Sequence, residues 1–409
     1  MSPDVTARLQ EEDLPEIDVL GQAFHDDALA VLRKARAQGT LARSRRGVEV
    51  LDYDTVAALV SDDRLDSQNA GVYARMGGPS SLLEFAEDGL LVGMSGEKHR
   101  RIRRVFSAAF RVRHVQSQRP LMREAAADLT AAWAGDSCEF VRDFSSPFPM
   151  HVLCRLLGVP VEDIPLFTAA ATELHLLAAV PLAPGFPRID AALQTLSEYI
   201  TGLVRRRRDE PRDDIVTSLI TVQESEGRLT DSELAWNLVN LIFAGQDTTR
   251  YQLASVVRAV AQAPGAWERL AAEPELIPAA VEEALRLYPV TRFIVRIPRD
   301  DLIIGDLRVR RGRRVILNLL AASRDPSRFE RPDEFLLPRP EPHFSVPFGW
   351  GMHHCLGATL AEVEMEEALR LLIESYQDVR VIGIPAMTPP AGMLHGPESM
   401  LLQFAKKRA

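Results

Sequence analysis

A cysteine in a glycine-rich loop is the residue of this sequence with the clearest potential for chemistry. The loop reads Phe348-Gly-Trp-Gly-Met-His-His-Cys-Leu-Gly, and a helix-like run follows it directly. Gly349, Gly351 and Gly357 allow tight turns with positive φ close to a flat partner. Cys355 then lies at the N-terminal end of a helix, where free N–H groups and the helix dipole are expected to lower the thiol pKa. A thiolate held in this way is a strong electron donor that suits iron.

The loop alone leaves three other interpretations open. Cys355 could be a buried structural cysteine that follows a turn. It could be a nucleophile paired with His353 or His354, although three adjacent residues give poor geometry for such a pair. It could also bind zinc together with His343, His353 and His354, although this spacing differs from that of common zinc sites.

A second segment places polar groups inside an apolar helix. It reads Phe243-Ala-Gly-Gln-Asp-Thr-Thr. Gly245 costs about 1 kcal/mol relative to Ala in a helix interior. Asp247 and Thr248 would bury a carboxylate and a hydroxyl, which is unfavourable unless these groups are hydrogen-bonded or take part in a reaction. The segment therefore predicts either a structural kink or an acid–alcohol pair that transfers protons.

A basic helix is the third candidate. Between Lys98 and Arg113 there are seven Lys or Arg residues and no acidic residue, in a chain whose formal net charge is −9. His99 and Arg103 are spaced i, i+4, so they share one face that could hold an anion. The other face could dock an acidic protein. Its cations are Arg100, Arg101 and Arg104.

The elements that would position these residues are mostly helices. Apolar periodicity predicts helices over 26–38, 97–110, 117–134, 190–209, 230–262, 266–272, 275–287 and 357–375. The longest begins with a capping box at Thr230 and Glu233 and ends at Pro264-Gly265. Strands are predicted at 47–51, 293–296, 301–304 and 314–318, with the segments between 293 and 317 pairing with 47–51, and 324–349 reads as an ordered meander. We expect residues 1–409 to form a single, mainly helical domain with a small β region.

Composition excludes several classes of protein. With 48 Lys and Arg against 57 Asp and Glu, the chain does not resemble a general nucleic-acid binder. Three widely spaced cysteines (Cys138, Cys154 and Cys355) argue against a disulfide framework and fit a reducing compartment. The polar N-terminus is unlike a secretory signal, and no apolar run reaches the roughly 18 residues of a membrane span. We therefore expect a cytoplasmic protein.

The cysteine loop resembles the haem-binding signature of the cytochrome P-450 family, Phe-x-x-Gly-x-His-x-Cys-x-Gly. The matched positions are Phe348, Gly351, His353, Cys355 and Gly357. The resemblance implies the mainly α fold of that family, a helical bundle with small β-sheets around a buried haem b. It also implies that Cys355 is the iron ligand.

Two other segments are similar to family motifs. Asp247 and Thr248 resemble the oxygen-activation motif Ala-Gly-x-Asp/Glu-Thr, and the resemblance implies that they deliver protons. Glu283 and Arg286, spaced i, i+3, would alone be typical of a solvated surface pair. They match the family's Glu-x-x-Arg motif, which implies a buried structural network that also includes Arg339.

The haem propionates would be held by cationic side chains. His99, Arg103 and Arg296 match the family positions that bind them, and His353 matches a further one. A buried charge without a partner is unfavourable, so these contacts are expected to matter for haem retention.

The resemblance implies a monooxygenase that activates O2 and hydroxylates or otherwise oxidises a medium-sized, largely apolar organic substrate. Electrons would come from a separate reduced ferredoxin or flavodoxin, an acidic redox partner at the basic face, and the enzyme would act as a monomer. Alternatives are haem-thiolate enzymes of other oxidative chemistry (coupling, desaturation) and a non-catalytic haem sensor, which would not need Asp247 and Thr248. Polar anchors for a substrate could be Arg292, His175 or His395. Apolar pocket walls are predicted from Leu176, Leu177, Val180, Leu241, Phe243, Ala244, Ile294, Val295, Met393 and Leu394.

Overall fold

The computed structural model describes residues 9–67, 70–178, 182–340 and 346–407, and the predicted site residues Val180 and His343 lie outside them. Helices account for most of the described chain. They are α1 (Gln22–Asp26), α2 (Ala28–Arg36), α3 (Tyr53–Val60), α4 (Ala70–Arg75), α5 (Ser80–Glu84), α6 (Gly96–Ala109), α7 (Val112–Ser117), α8 (Arg119–Ala131), α9 (Pro147–Leu156), α10 (Ile164–Leu174), α11 (Phe186–Asp209), α12 (Ile215–Glu226), α13 (Asp231–Gln262), α14 (Ala266–Ala272), α15 (Ile277–Leu287), α16 (Leu319–Ala322) and α17 (Ala358–Ser375).

The strands form small sheets. They are β1 (Glu16–Ile17), β2 (Leu41–Ser44), β3 (Gly47–Val50), β4 (Leu65–Asp66), β5 (Ser137–Glu139), β6 (Phe293–Pro298), β7 (Leu302–Ile304), β8 (Leu307–Val309), β9 (Val315–Asn318), β10 (Tyr376–Met387) and β11 (Pro397–Lys406). The largest sheet has the order β1-β2-β3-β9-β6-β4, a second has the order β10-β11-β5, and β7 pairs with β8. The predicted pairing of 47–51 with the segments between 293 and 317 is confirmed for β9, which pairs directly with β3. Strand β6 joins the same sheet through β9, whereas the prediction is wrong for 301–304, because β7 pairs with β8 in a separate sheet.

Helix α13 is the central element, about 48 Å long at the usual rise per residue. At its start, the Thr230 hydroxyl accepts a hydrogen bond from the Glu233 N–H, and the Glu233 carboxylate accepts one from the Thr230 N–H. Its C-terminal end is followed by Gly265, which has a φ of 70°. The predicted helix over 230–262 is therefore confirmed to within one residue.

The core surrounds this helix. A large hydrophobic cluster packs α13 against α9, α11, α15 and α17, and Leu238, Val239 and Ile242 of α13 are fully buried within it. A smaller cluster fills the space beside the largest sheet and includes Val48 and Val315. No helix within the described ranges has the length and apolar character that crossing a membrane requires.

The other predicted helices are also present, with ends that differ by a few residues. The helix predicted over 26–38 is interrupted at Asp27. This residue caps α2 by accepting a hydrogen bond from the Ala30 N–H. The hairpin of β10 and β11 was not predicted. Its strand β10 has mostly exposed side chains and several register shifts, so apolar and polar residues do not alternate along it.

Candidate active site

The cysteine loop has the tight geometry that its glycines predict at two of three positions. Gly349 and Gly351 have φ values of 65° and 66°. A side chain at Gly351 would bring its Cβ within 2.9 Å of Ser61 Cβ, so both conformation and space favour glycine there. The prediction is wrong for Gly357, whose φ of −91° is ordinary and which forms the N-cap of α17.

Cys355 is an exposed residue, although many protein atoms surround its side chain. Its N–H donates to the Phe348 carbonyl at 2.8 Å, which fixes the loop. Burial raises the pKa of the thiol, and Glu362 adds to this rise, whereas the Gly357 N–H and Arg103 lower the pKa. The predicted net lowering by the helix terminus is therefore wrong for the protein alone, because burial outweighs it.

Four side chains with imidazole or guanidinium groups form a cluster next to this cysteine. The rings of His99 and His353 lie 4.6 Å apart, centroid to centroid. Arg103 acts electrostatically on both Cys355 and His353, and Arg296 acts on His353. The structure thus brings together residues from α6, β6 and the cysteine loop, which are up to 254 positions apart in the chain (99 to 353).

Among the described residues, this cluster has little counter-charge: Asp66 acts on His353, but it pairs with Arg299 at 2.6 Å. Burial and the neighbouring cations hold the pKa of His353 at about 4, and burial lowers the pKa of Arg296 to about 10. Both ring nitrogens of His99 are buried without a hydrogen-bond partner. Arg296 donates to neutral oxygens, and across the described ranges neither it nor Arg103 forms an ion pair with a carboxylate. A buried cationic cluster of this kind is stabilised by an anion.

The residues around Cys355 therefore fit a haem. A haem offers an iron atom for one thiolate and two carboxylates for cationic donors. The unpartnered His99 nitrogens and the uncompensated Arg103 and Arg296 provide such donors. Among the described residues, no three His, Cys, Asp or Glu side chains meet as a metal site, so His353, His354 and Cys355 do not form the zinc arrangement considered above.

Helix α13 has an exposed position in its otherwise mostly buried middle. Ala244 is exposed although it lies between buried turns of the helix. The Thr248 hydroxyl donates to the Ala244 carbonyl at 2.8 Å. Asp247 is 9% exposed, and its Oδ1 lies 3.1 Å from Arg250 Nε. Burial raises the pKa of the Asp247 carboxyl, and Arg250 and His175 oppose that rise.

The residues predicted to line a substrate pocket come from three segments. They are Leu241, Phe243, Ala244, Ile294, Met393 and Leu394. The Phe243 ring meets Phe85 edge to face at 6.0 Å between centroids. Ile294 approaches the cysteine loop, because a Cβ added to Gly349 would lie 3.7 Å from Ile294 Cδ1. Met393 and Leu394 lie beside the start of β6, where the Arg292 N–H donates to the Met393 carbonyl at 2.8 Å. Leu176 and Leu177 pack at the edge of the main core.

Glu283, Arg286 and Arg339 form a buried ionic group at the end of α15. Glu283 accepts two hydrogen bonds from Arg286, at 2.7 and 2.9 Å, and two from Arg339, at 2.9 and 3.0 Å. Arg286 also donates to the carbonyls of Ser323 and Pro332. Burial raises the pKa of Glu283, but the two arginines outweigh it and the net pKa is lowered. The group fixes the meander against α15.

Some of the cations on the basic helix α6 form ion pairs, which the sequence of the helix does not indicate. Arg101, predicted on the face that could dock an acidic protein, donates instead to the Glu233 carboxylate at 2.6 and 2.8 Å. Arg100 makes an exposed pair with Glu97 at 3.0 Å. Arg104 is exposed.

Two contacts of the site were not predicted. Arg250 follows Asp247 at i+3 on the same helix, and that spacing could have indicated the pair. The N–H of Gly357 lowers the pKa of Cys355, a backbone contact that depends on the turn and has no signal in residue type.

Comparison with known proteins identifies the family. The family model described as cytochrome P-450 matches residues 171–381, which is more than half of the chain. Luteothin monooxygenase of Streptomyces thioluteus is 30% identical over 395 residues, covering 96% of each chain. This chain belongs to the cytochrome P-450 family. Mycinamicin IV hydroxylase/epoxidase of Micromonospora griseorubida is 33% identical over 358 residues, 87% of this chain and 86% of the relative. The crystal structure of CalO2 matches with a TM-score of 0.89 at 25% identity, over 96% of this chain and 99% of that one.

As a cytochrome P-450, the protein is a monooxygenase, an oxidoreductase that binds haem and its iron. Its helical bundle with small sheets is the fold of the family.

Proposed function

We propose that this P-450 uses O2 to hydroxylate or otherwise oxidise a medium-sized, largely apolar organic substrate. The observation that carries the proposal is the exposed part of α13. There, Phe243 and Ala244 present apolar surface one turn before Asp247 and Thr248. A substrate against this surface would lie beside the residues that can transfer protons. The bacterial relatives named as monooxygenase and hydroxylase/epoxidase act on organic molecules, which supports the same class of reaction.

We assign the haem contacts to the cluster around Cys355. The haem, when bound, would supply the redox centre that activates O2. Cys355 would bind the iron through its thiolate. Burial disfavours this thiolate in the protein alone, and ligation to iron would stabilise it. His99, Arg103, Arg296 and His353 would hold the two propionates through charge-assisted hydrogen bonds.

Asp247 and Thr248 are the proposed proton carriers. Asp247 is held near Arg250, and its raised pKa means that it can bind and release a proton more readily near neutral pH than an ordinary carboxyl. The Thr248 hydroxyl lies one residue further along the helix and is partly exposed. The Thr248 hydroxyl would pass the proton to the reacting oxygen, and Asp247 would resupply it.

Electrons would come from a separate ferredoxin or flavodoxin. The exposed cations Arg104, Arg111 and Arg113 follow one another on α6 and at the start of α7, and α7 packs against α17, the helix that Cys355 precedes. An acidic redox protein would therefore be attracted to the side of the molecule nearest the thiolate. We further propose that residues 1–409 act as a single cytoplasmic domain and as a monomer. The three unpaired cysteines fit a reducing compartment.

The test is a screen for ligands followed by turnover. Purified holoenzyme is titrated with organic compounds, and binding is read as a shift of the haem absorption bands. Binders are then incubated with NADPH, a ferredoxin reductase and either a ferredoxin or a flavodoxin. The proposal predicts an oxygenated product that contains label from ¹⁸O2. Binding without any product from either electron donor would instead indicate a non-catalytic haem protein.

A further inference from the structure

Arg250 is the charged neighbour of Asp247, the residue proposed to resupply protons. Its Nε lies 3.1 Å from Asp247 Oδ1, one turn along α13, and the two side chains are mostly buried, with 18% and 13% of their surface exposed. Within the described ranges, neither side chain has a second ion-pair partner. An unopposed charge at this depth is unfavourable, so each of the two groups depends on the other.

The contact between Arg250 and Asp247 is close, but it is not an aligned hydrogen bond. Both Arg250 Nε and Asp247 Oδ1 are inaccessible to solvent, and neither has a hydrogen-bond partner. At 3.1 Å the two groups still attract each other strongly, because little solvent lies between them. Arg250 therefore acts on Asp247 mainly through its charge.

Tyr251 fixes Arg250 in this position. The Arg250 guanidinium lies over the Tyr251 ring, 4.3 Å from its centroid, and Nη2 donates to the Tyr251 hydroxyl at 2.5 Å. Tyr251 is itself packed against Gly396, where an added Cβ would lie 2.6 Å from Tyr251 Cβ. A planar guanidinium can stack on this ring and still direct Nε towards Asp247, which the compact ammonium group of lysine cannot do.

Charged groups from other elements also act on this pair. His175, which follows α10, opposes the effect of burial on the pKa of Asp247, but less than Arg250 does. Glu398 of β11 is exposed and acts on Tyr251. Among the described residues, Arg250 is therefore the group that does most to offset the burial of Asp247.

We propose that Arg250 is a positioning residue for proton delivery, which holds the Asp247 side chain and sets the pH range in which Asp247 passes protons to Thr248. Arg250 acts through Asp247 and need not contact the substrate or the haem. Without this cation, the buried carboxyl would keep its proton up to a higher pH and release it less readily. The link to proton delivery rests on the proposed function, whereas the effect of Arg250 on Asp247 does not.

A double-variant comparison tests the effect of Arg250 on Asp247 without any substrate. The Tm of the holoenzyme is measured at about pH 7 for the wild type, Arg250→Gln, Asp247→Asn and the variant with both changes. We expect Arg250→Gln to lower Tm at least about twice as much when Asp247 is present as in the Asp247→Asn background, because only the carboxylate needs the cation.

Arg258→Gln is the matched control. Arg258 is also a partly buried arginine of α13, and it lies over the ring of Tyr288, 5.6 Å from its centroid. Across the described part of the chain it forms no ion pair, and its side chain donates to Gln262. The Tm change in Arg258→Gln should therefore be the same with and without the Asp247→Asn substitution.

A second experiment tests the role of Arg250 in proton delivery. Product formed per NADPH consumed is measured from about pH 6 to pH 9 for the wild type, Arg250→Gln, Arg250→Lys and Arg258→Gln. Coupling falls as the pH rises because Asp247 loses the proton that it must donate. We expect the midpoint of this fall to move up by about one pH unit or more in Arg250→Gln, because loss of a nearby cation raises the pKa of a carboxyl.

The conservative variant separates charge from shape. Arg250→Lys should give a midpoint between those of the wild type and Arg250→Gln, because lysine keeps the charge but not the planar contact with Tyr251. Arg258→Gln should behave like the wild type. In the Asp247→Asn background, replacing Arg250 should leave the pH dependence unchanged.

The two experiments can fail separately. Equal Tm losses with and without Asp247 would overturn the proposal. A larger loss when Asp247 is present, but an unchanged midpoint, would keep the ion pair and overturn its role in proton delivery. If Asp247→Asn leaves coupling unchanged, or if no compound is oxidised, the proposed function fails, and the Tm comparison still decides whether Arg250 acts on Asp247. If Arg250→Gln does not fold, Asp247→Asn should rescue it by removing the uncompensated carboxylate, and absence of rescue would contradict the proposal.

Discussion

Asp247 and Thr248 are polar residues in a mostly apolar part of helix α13, where their side chains need hydrogen-bond partners. Thr248 satisfies its hydroxyl by donating to the Ala244 carbonyl, which is the local bond that a helix offers to threonine. Asp247 has a less favourable position. Burial raises its pKa, and its contact with Arg250 is within ion-pair distance but does not satisfy Oδ1 as a hydrogen bond. This position is unfavourable for stability and fits the proton-carrier role that we propose for Asp247.

Thr248→Ala should separate electron consumption from product formation. The change removes one hydroxyl from a half-buried position, so folding and substrate binding are expected to persist. Without that hydroxyl, proton delivery fails and reduced oxygen leaves as hydrogen peroxide. We expect continued NADPH consumption with little product, and partial recovery of product when peroxide is added. The measurement is product formed per NADPH consumed, with Thr249→Ala as a neighbouring control; undiminished coupling in Thr248→Ala would remove the relay role from this residue.

Asp247→Asn should stabilise the protein at neutral pH while it slows turnover. The folded state raises the pKa of this carboxyl, so it disfavours the charged form. Above the usual carboxyl pKa near 3.8 the folded state carries this penalty, and well below it both states are protonated and the penalty is absent. We therefore expect the variant to have the higher Tm at about pH 7, with a difference that shrinks towards about pH 4. A variant that is less stable than the wild type at neutral pH would show that the pair with Arg250 outweighs burial.

At the scale of elements, the end of α15 is held by an ionic group rather than by apolar packing alone. Glu283 is 3% and Arg286 2% exposed, and Arg339 connects them to the meander that precedes the cysteine loop. Removing one partner of such a group leaves a buried charge without compensation, which is far more unfavourable than losing an exposed pair.

Arg286→Leu is accordingly expected to lower the free energy of unfolding by about 3–5 kcal/mol. The control is Arg331→Leu, because Arg331 pairs with Glu334 at the surface and should change stability by about 1 kcal/mol or less. Urea denaturation of both variants, followed by circular dichroism, gives the comparison. Equal losses in the two variants would contradict a special role for the buried group.

Elements with strong local signals could be predicted from the sequence, and those fixed by distant contacts could not. The capping box at Thr230 and the stop before Gly265 located α13 because both signals act within one turn. Strand β10 carries no such signal: Ile384 is 97% exposed and the pairing with β11 shifts register. The predicted lowering of the Cys355 pKa was wrong for a similar reason, because the helix terminus is local whereas burial depends on the whole fold.

At the scale of the whole molecule, the cationic cluster connects parts of the fold that have separate cores. Arg103 lies on α6, which packs into the large helical cluster, whereas Arg296 lies on β6 in the largest sheet. Neither has a carboxylate partner among the described residues. A ligand that pairs with both would hold these two regions together and stabilise the folded state.

The double variant Arg103→Leu, Arg296→Leu should therefore retain haem poorly. Each lost charge-assisted bond is expected to weaken binding by about 1.5–3 kcal/mol, so the two together predict a loss of about 10² in haem affinity or more. Haem transfer to apomyoglobin, followed by absorbance, measures the loss, and Arg308→Leu is the surface control. Normal haem occupancy in the double variant would show that the propionates are held elsewhere.

The most direct test of the account is the ligand of the iron. Cys355 is the exposed residue among the three cysteines, whereas Cys138 and Cys154 are buried and their thiol pKa values are raised to about 12. The measurement is the absorption spectrum of the reduced protein under carbon monoxide. We predict the strongly red-shifted Soret band of thiolate ligation in the wild type and in Cys138→Ala and Cys154→Ala, and its loss in Cys355→Ala. Persistence of that band in Cys355→Ala would contradict the assignment of Cys355 as the iron ligand.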